Sequence, residues 1–220
     1  MANDVDEDGT RERIKTAAIR LFSRRGIDGV SVRAILTEAS VKNSAGIHYY
    51  FRTKDDLIRE LVRDALTRTR RARNTALDAL EATGEPIRVR DIVDLIIKVE
   101  TGGVPDPELR SDLPIGFGHM RFISVMQLNH RDTFTAAVEA EGDDSFQRCI
   151  DHIARALPDV PRAVLNQRLV FFYQFAQASL SAREAAFVQN ADGGRLWGAP
   201  DVLENLIDSL TAAIDLRATA

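Results

Sequence analysis

The chain has 220 residues, 45% of them hydrophobic, and a formal net charge of −4, enough length to bury a sizeable core as one domain or as two of unequal size. Its single cysteine, Cys149, excludes an intramolecular disulfide and any multi-cysteine metal site; with Phe146, Ile150 and Ile153 around it, it reads as a core thiol. No apolar run approaches membrane-spanning length, and the acidic start M-A-N-D-V-D-E-D-G leads into no apolar stretch, so a soluble, cytoplasmic protein without signal peptide or membrane partner is expected.

An acidic total argues against a nucleic-acid binder, but the charge is segregated. Residues 10–73 hold 16 Lys and Arg against 7 Asp and Glu, a net of +9, whereas residues 74–220 hold 13 against 22. The excess positive charge therefore sits in one N-terminal segment.

Residues 1–9 are expected to form a disordered acidic tail. Thr10 then caps a helix whose apolar stripe is Ile14, Ala17, Ala18, Leu21 and Phe22, with Arg24 and Arg25 at its C-terminal dipole and Gly26 ending it. Ser31 is a good N-cap for a second helix, in which Val32, Ile35, Leu36 and Ala39 recur on one face. Ser40-Val41-Lys42-Asn43 interrupts that period. A third helix over 44–50 follows, with Ile47 and Phe51 four apart and facing inward. Two short helices joined by a tight turn form a helix-turn-helix, whose second member can enter a DNA major groove. Its outward side carries Asn43, Ser44, Ala45, Gly46, His48 and Tyr49, small or hydrogen-bonding groups suited to close approach to bases and phosphates.

The combination of L-F-x-x-x-G, V-S-V-R-A-I and I-H-Y-Y-F-R-T-K-D-D-L resembles the N-terminal domain of the TetR family of transcriptional regulators, with Tyr49, Phe51, Lys54 and Leu57 at the marked positions. The resemblance covers about the first quarter of the chain. The turn A-S-V-K-N-S-A-G is one residue longer than the commonest family version and lacks its A-G-V opening, which fixes the recognition-helix register only to within one residue. The resemblance implies a homodimer on a pseudo-palindromic double-stranded operator, released by a small-molecule effector. Tyr49 and Lys54 would bind phosphates with help from Ser31 and Arg33. Lys42, Asn43, Ser44, Gly46 and His48 are the candidates for base contacts.

Thr53 with Asp56 is a capping-box-like start for a fourth helix, with Leu57, Ile58, Leu61, Val62, Ala65 and Leu66 inward and no breaker before Gly84. Arg68, Arg70, Arg71 and Arg73 cluster on it, several turns from the recognition helix, and are assigned a solvated or interdomain role. A largely apolar helix around Ile92 to Val99 should be buried. Gly/Pro breaks at 101–107 and 114–118 precede a helix with Phe122, Ile123, Val125, Met126 and Leu128, and Asp143 or Asp144 caps a further one running to Leu157. Two long helices, about 161–188 and 200–216, finish the chain. The first is apolar on several sides, so one face is expected to meet a second copy, and Leu169, Phe172, Leu203, Leu206 and Leu210 are the candidate dimer contacts. In the resembled family these two helices pair as a four-helix bundle.

The expected fold is all-α: a helix-turn-helix DNA-binding domain over 1–53 and a larger effector-binding and dimerisation domain over 54–220. No P-loop, zinc-hydrolase helix, dinucleotide fingerprint or nucleophile elbow occurs, and none of the histidines has a second ligand at helical spacing, so no enzyme activity, metal or cofactor is expected. An effector pocket is sketched by His119, Phe122 and Met126 from one helix and Phe171, Tyr173, Gln174 and Gln177 from another, against the alternative that these are core. The rival class is a helical small-molecule-binding protein or enzyme whose helix-turn-helix is only packing.

Overall fold

The computed structural model describes residues 2–41, 46–102, 118–142, 144–190 and 192–216, and among them it contains eleven α-helices and no strand. The chain divides into two compact units, Met1–Thr67 with Leu109–Glu141, and Arg68–Glu108 with Gly142–Ala220. The division differs from a cut at residue 53 in two ways. It falls inside the fourth helix, and it assigns a later stretch of chain to the N-terminal unit.

The first unit contains α1 (Ala2–Arg25), α2 (Val32–Glu38), α3 (Gly46–Phe51), the first half of α4 (Lys54–Glu81), α6 (His119–Asn129) and α7 (Arg131–Glu141). The expected stripe on α1 is buried: Ile14, Ala17, Ala18, Leu21 and Phe22 meet Ile35 and Leu36 of α2, Phe51 of α3, and Leu57, Leu61 and Val62 of α4. Gly26, at φ +71°, ends α1, its N–H bonding the Phe22 carbonyl at 3.0 Å. At the other end, α1 begins at Ala2, so 2–9 continue the helix and are not a disordered tail. The acidic sequence of that first stretch suits a helix N-terminus, and Gly9 costs only about 1 kcal/mol against alanine.

Helix α6 completes this core. Phe122 stacks on Phe22 with ring centroids 6.1 Å apart, and Phe122, Ile123 and Met126 are almost wholly excluded from solvent. Burying three such side chains contributes on the order of 5 kcal/mol, comparable with the net stability of a small domain. The segment is part of the first unit's structure. Close approach is allowed by Gly118, at φ +86°, where a Cβ would lie 2.8 Å from the Ser23 hydroxyl.

The second unit contains the rest of α4, α5 (Val89–Glu100), α8 (Asp144–Ala156), α9 (Arg162–Gln189), α10 (Gly194–Trp197) and α11 (Val202–Asp215). Helix α5 is buried on most sides, as its composition demands: Ile92, Val93, Leu95, Ile96, Ile97 and Val99 all lose nearly all their exposure. It packs between α8 and α11, and α11 lies along α9. Arg168 of α9 donates to the Ile214 carbonyl at 2.9 Å, satisfying an acceptor at the end of α11. Arg148 of α8 binds Asn74, Asp78 and Glu81 of α4 at 2.7–3.0 Å, beside a 2.7 Å contact between His152 Nε2 and Glu81. Cys149 is buried, as expected of a core thiol.

Candidate nucleic-acid interface

Both ends of α2 are fixed by local hydrogen bonds. Ser31 caps α2, its Oγ accepting from the Ala34 N–H at 3.2 Å. At the other end the Val41 N–H bonds the Leu36 carbonyl at 2.9 Å and the Ser40 N–H the Thr37 carbonyl at 3.1 Å, the bond pair of a Schellman motif. That motif places Ser40 at φ +57°, where glycine is favoured. Ser40→Gly is therefore expected to stabilise the first unit by about 0.5–1 kcal/mol, read as a higher urea midpoint with unchanged slope. A lower midpoint would show that the serine side chain contributes more than its backbone strain costs.

The C-terminal end of α3 is held by a clamp that the sequence did not announce. Arg11 of α1 donates to the Tyr50 carbonyl at 2.6 Å, forms a short ion pair with Glu60 of α4, and lies 4.4 Å from the centre of the Phe51 ring. One turn on, Lys15 bonds Glu60 and Asp64, each at 2.8 Å, and Glu12 at 2.9 Å. Burial opposes the charge on Lys15, but the bonds from Asp64, Glu60 and Glu12 outweigh it and raise its pKa above the ordinary lysine value. Burial likewise pushes the Glu60 carboxyl up, and the bonds from Lys15 and Arg11 more than reverse this, leaving it below the ordinary glutamate value. One trace of the clamp can be found in the residue spacing: Arg11 and Lys15 are four apart on one helix, Glu60 and Asp64 four apart on another.

The expected contact residues divide as follows. Arg33 is exposed on α2, and Tyr49 is 67% exposed on α3 with its ring edge-on to Tyr50 at 4.9 Å. Gly46 opens α3 and His48 lies within it. Lys42, Asn43, Ser44 and Ala45 lie outside the described residues. Lys54 plays a structural part, because its Nζ donates to the Ile27 carbonyl at 2.6 Å and sits 5.6 Å from the Phe22 ring centre, tying the start of α4 to the loop before α2. The capping box at Thr53 and Asp56 forms as expected, with the Asp56 N–H bonding the Thr53 Oγ1 at 3.0 Å. Arg52, not among the expected contacts, is exposed at φ +41° between Tyr49 and Lys54.

The other candidates divide between the two units. Phe122 and Met126 are core of the first unit, and His119 is half-buried at the start of the same helix. Tyr173 and Gln177 belong to the second unit, half-buried and buried respectively, while Phe171 and Gln174 are exposed. Phe122 and Met126 thus serve as packing. Leu169, Phe172, Leu206 and Leu210 are buried within the second unit, and Leu203 is half-buried, so the first four are unavailable to a second copy. The apolar face that α9 leaves in solvent consists of Val170, Phe171 and Phe175. Arg73 also departs from expectation: it is buried, bonding Ser145 at 3.0 Å and lying 3.6 Å from Glu100. Among the described residues no group of His, Cys, Asp and Glu is arranged to hold a metal ion, and no helix is long and apolar enough to cross a membrane.

A three-helix unit with Arg33 and Tyr49 exposed on its second and third helices, on the basic part of the chain, defines a helix-turn-helix DNA-binding regulator. Residues 14–61 match the family model described as bacterial regulatory proteins, tetR family, which supports the resemblance of the N-terminal segment to that family. No curated protein matches it.

Proposed function

We propose that the protein is a repressor that binds a pseudo-palindromic operator as a homodimer and is released from it by a small-molecule effector bound in the second unit. The observation that carries this reading is the coincidence of the helix-turn-helix scaffold, the +9 segment and the exposed Arg33 and Tyr49. Lys42, Asn43, Ser44, Ala45, Gly46 and His48 supply the base-edge and close backbone contacts, and Ser31, Arg33, Tyr49 and the remaining donors of Lys54 hold phosphates. Two heads about one turn of DNA apart give specificity that one short helix cannot. Dimerisation uses the outward face of α9 around Phe171 and Phe175. An effector that favours one tilt of α4 changes the spacing of the heads and so lowers operator affinity.

Selection of bound fragments from random duplex DNA by the purified protein tests this directly: an inverted repeat should emerge. Affinity for it should fall steeply with salt as counterions are released. Arg33→Ala should weaken binding similarly on all sequences and reduce the salt slope by about 1, whereas His48→Ala should change preference at one or two positions. Arg33 is a cleaner phosphate probe than Lys54, whose removal also frees the Ile27 carbonyl. No enriched sequence, with binding indifferent to both substitutions, would leave the helix-turn-helix as packing only.

A further inference from the structure

The interior of the second unit contains polar groups that a helical core does not need. Arg73 of α4 is 5% exposed, its guanidinium bonded to the Ser145 hydroxyl at 3.0 Å and 5.3 Å from the centre of the Phe146 ring. The Phe146 ring in turn meets Tyr173 of α9 edge-on, with centroids 6.2 Å apart. One turn further along α9, Gln177 is 5% exposed, and its Nε2 has no hydrogen-bond acceptor among the described residues. A buried amide donor left without an acceptor costs stability, and a core position that needed only packing would hold Leu or Met instead. Arg73 is 3.6 Å from Glu100, so the cluster carries balanced charge and does not require a charged guest.

We infer that Arg73, Ser145, Phe146, Tyr173 and Gln177 form a binding site for a small flat molecule bearing a carbonyl or carboxylate oxygen, which accepts from Gln177 Nε2 while its ring packs against Phe146 and Tyr173. The inference rests on the effector reading above and specifies the chemistry of that effector. The Phe146–Tyr173 pair supplies the apolar walls, and the amide supplies the fixed polar group that orients a guest. Three helices would be linked by such a guest, because Arg73 is on α4, Ser145 and Phe146 on α8, and Tyr173 and Gln177 on α9. An occupant would thereby bear on α4 within the second unit.

Thermal unfolding of the full chain tests this with benzamide, benzoate and aniline as probes. Benzamide and benzoate share the acceptor oxygen and differ in charge; aniline is as flat but offers no such oxygen. Benzamide, benzoate or both should raise the melting temperature and aniline should not. Gln177→Met keeps the volume and removes the donor; it should raise the melting temperature of the free protein and weaken probe binding about five- to ten-fold. Tyr173→Ala, which opens the wall and leaves the donor, should weaken binding without stabilising the free protein. No shift with either acceptor probe, or a shift that survives Gln177→Met, overturns the site. Operator titration separates the two ideas: a bound probe that leaves operator affinity unchanged upholds the site and removes the effector reading.

Discussion

Phe171→Asp combined with Phe175→Asp is expected to produce a folded monomer whose operator affinity is lower by at least about 100-fold, because joining two weak heads contributes a factor of roughly 10²–10⁴ through effective concentration. These rings are 66% and 44% exposed on α9, so carboxylates there stay hydrated and cost the free chain little. In a dimer sealed by this face, the same carboxylates would face one another out of water. Residual attraction to any duplex should remain, since the basic segment is untouched. The contrasting pair, Leu206→Asp with Leu210→Asp, should behave differently. Those leucines are 7% and 0% exposed in the core among α5, α9 and α11, and unpaired charges there should unfold the second unit. Light scattering, circular dichroism and operator titration on the two pairs separate interface from core. A stable dimer with undiminished affinity in the Phe171/Phe175 variant would show that the outward face of α9 is not the join.

That contrast shows what periodicity conveys and what it leaves open. An amphipathic stripe tells which side of a helix is apolar, and for α1, α2 and α4 that was enough, because each has one apolar side. Helix α9 is apolar on several sides. Sequence shows that it must bury more than one of them, but not whether Phe172 or Phe171 meets the chain's own core. The ends of α4, α8, α9 and α11 were legible to within a residue or two, for the first two because Thr53 and Asp144 act locally. Phe122 and Met126 were misassigned for the opposite reason. Their partners lie about a hundred residues earlier on α1, and nothing local to an apolar helix names the surface it will cover. Their spacing suggested a pocket wall, whereas the contact with Phe22 makes them core.

The candidate DNA surface was legible as residue types, while the structure that orients it was not. Ser31, Arg33, Tyr49 and Lys54 were readable from the motif, yet Lys54 proves to tie α4 to the Ile27 carbonyl, and Arg11 to hold the end of α3. Both contacts depend on groups brought together only by the tertiary fold. This is where a substitution far from any base should change sequence recognition.

Glu60→Ala is expected to show that effect. Removing the carboxylate leaves Arg11 with the Tyr50 carbonyl and the Phe51 ring, and Lys15, with a side chain only 10% exposed, supported by the partly solvated Asp64 and Glu12. The loss should lie between that of an exposed pair and that of a fully buried one, about 2 kcal/mol, visible as faster hydrogen exchange along α1 and the first half of α4. Because the Glu60 carboxyl is held below its ordinary value, its contribution is fully present above about pH 4.5, the ordinary glutamate value, and is lost as pH falls through the lower folded value. The wild-type chain should therefore lose more stability than the variant as pH is lowered through that range. Operator affinity at neutral pH should fall by about ten-fold or more while affinity for unrelated duplex changes little, since the basic side chains remain and only the pose of α3 loosens. If Glu60→Ala matches the wild type in exchange along α1 and α4 and in operator affinity, the clamp does not orient the recognition helix.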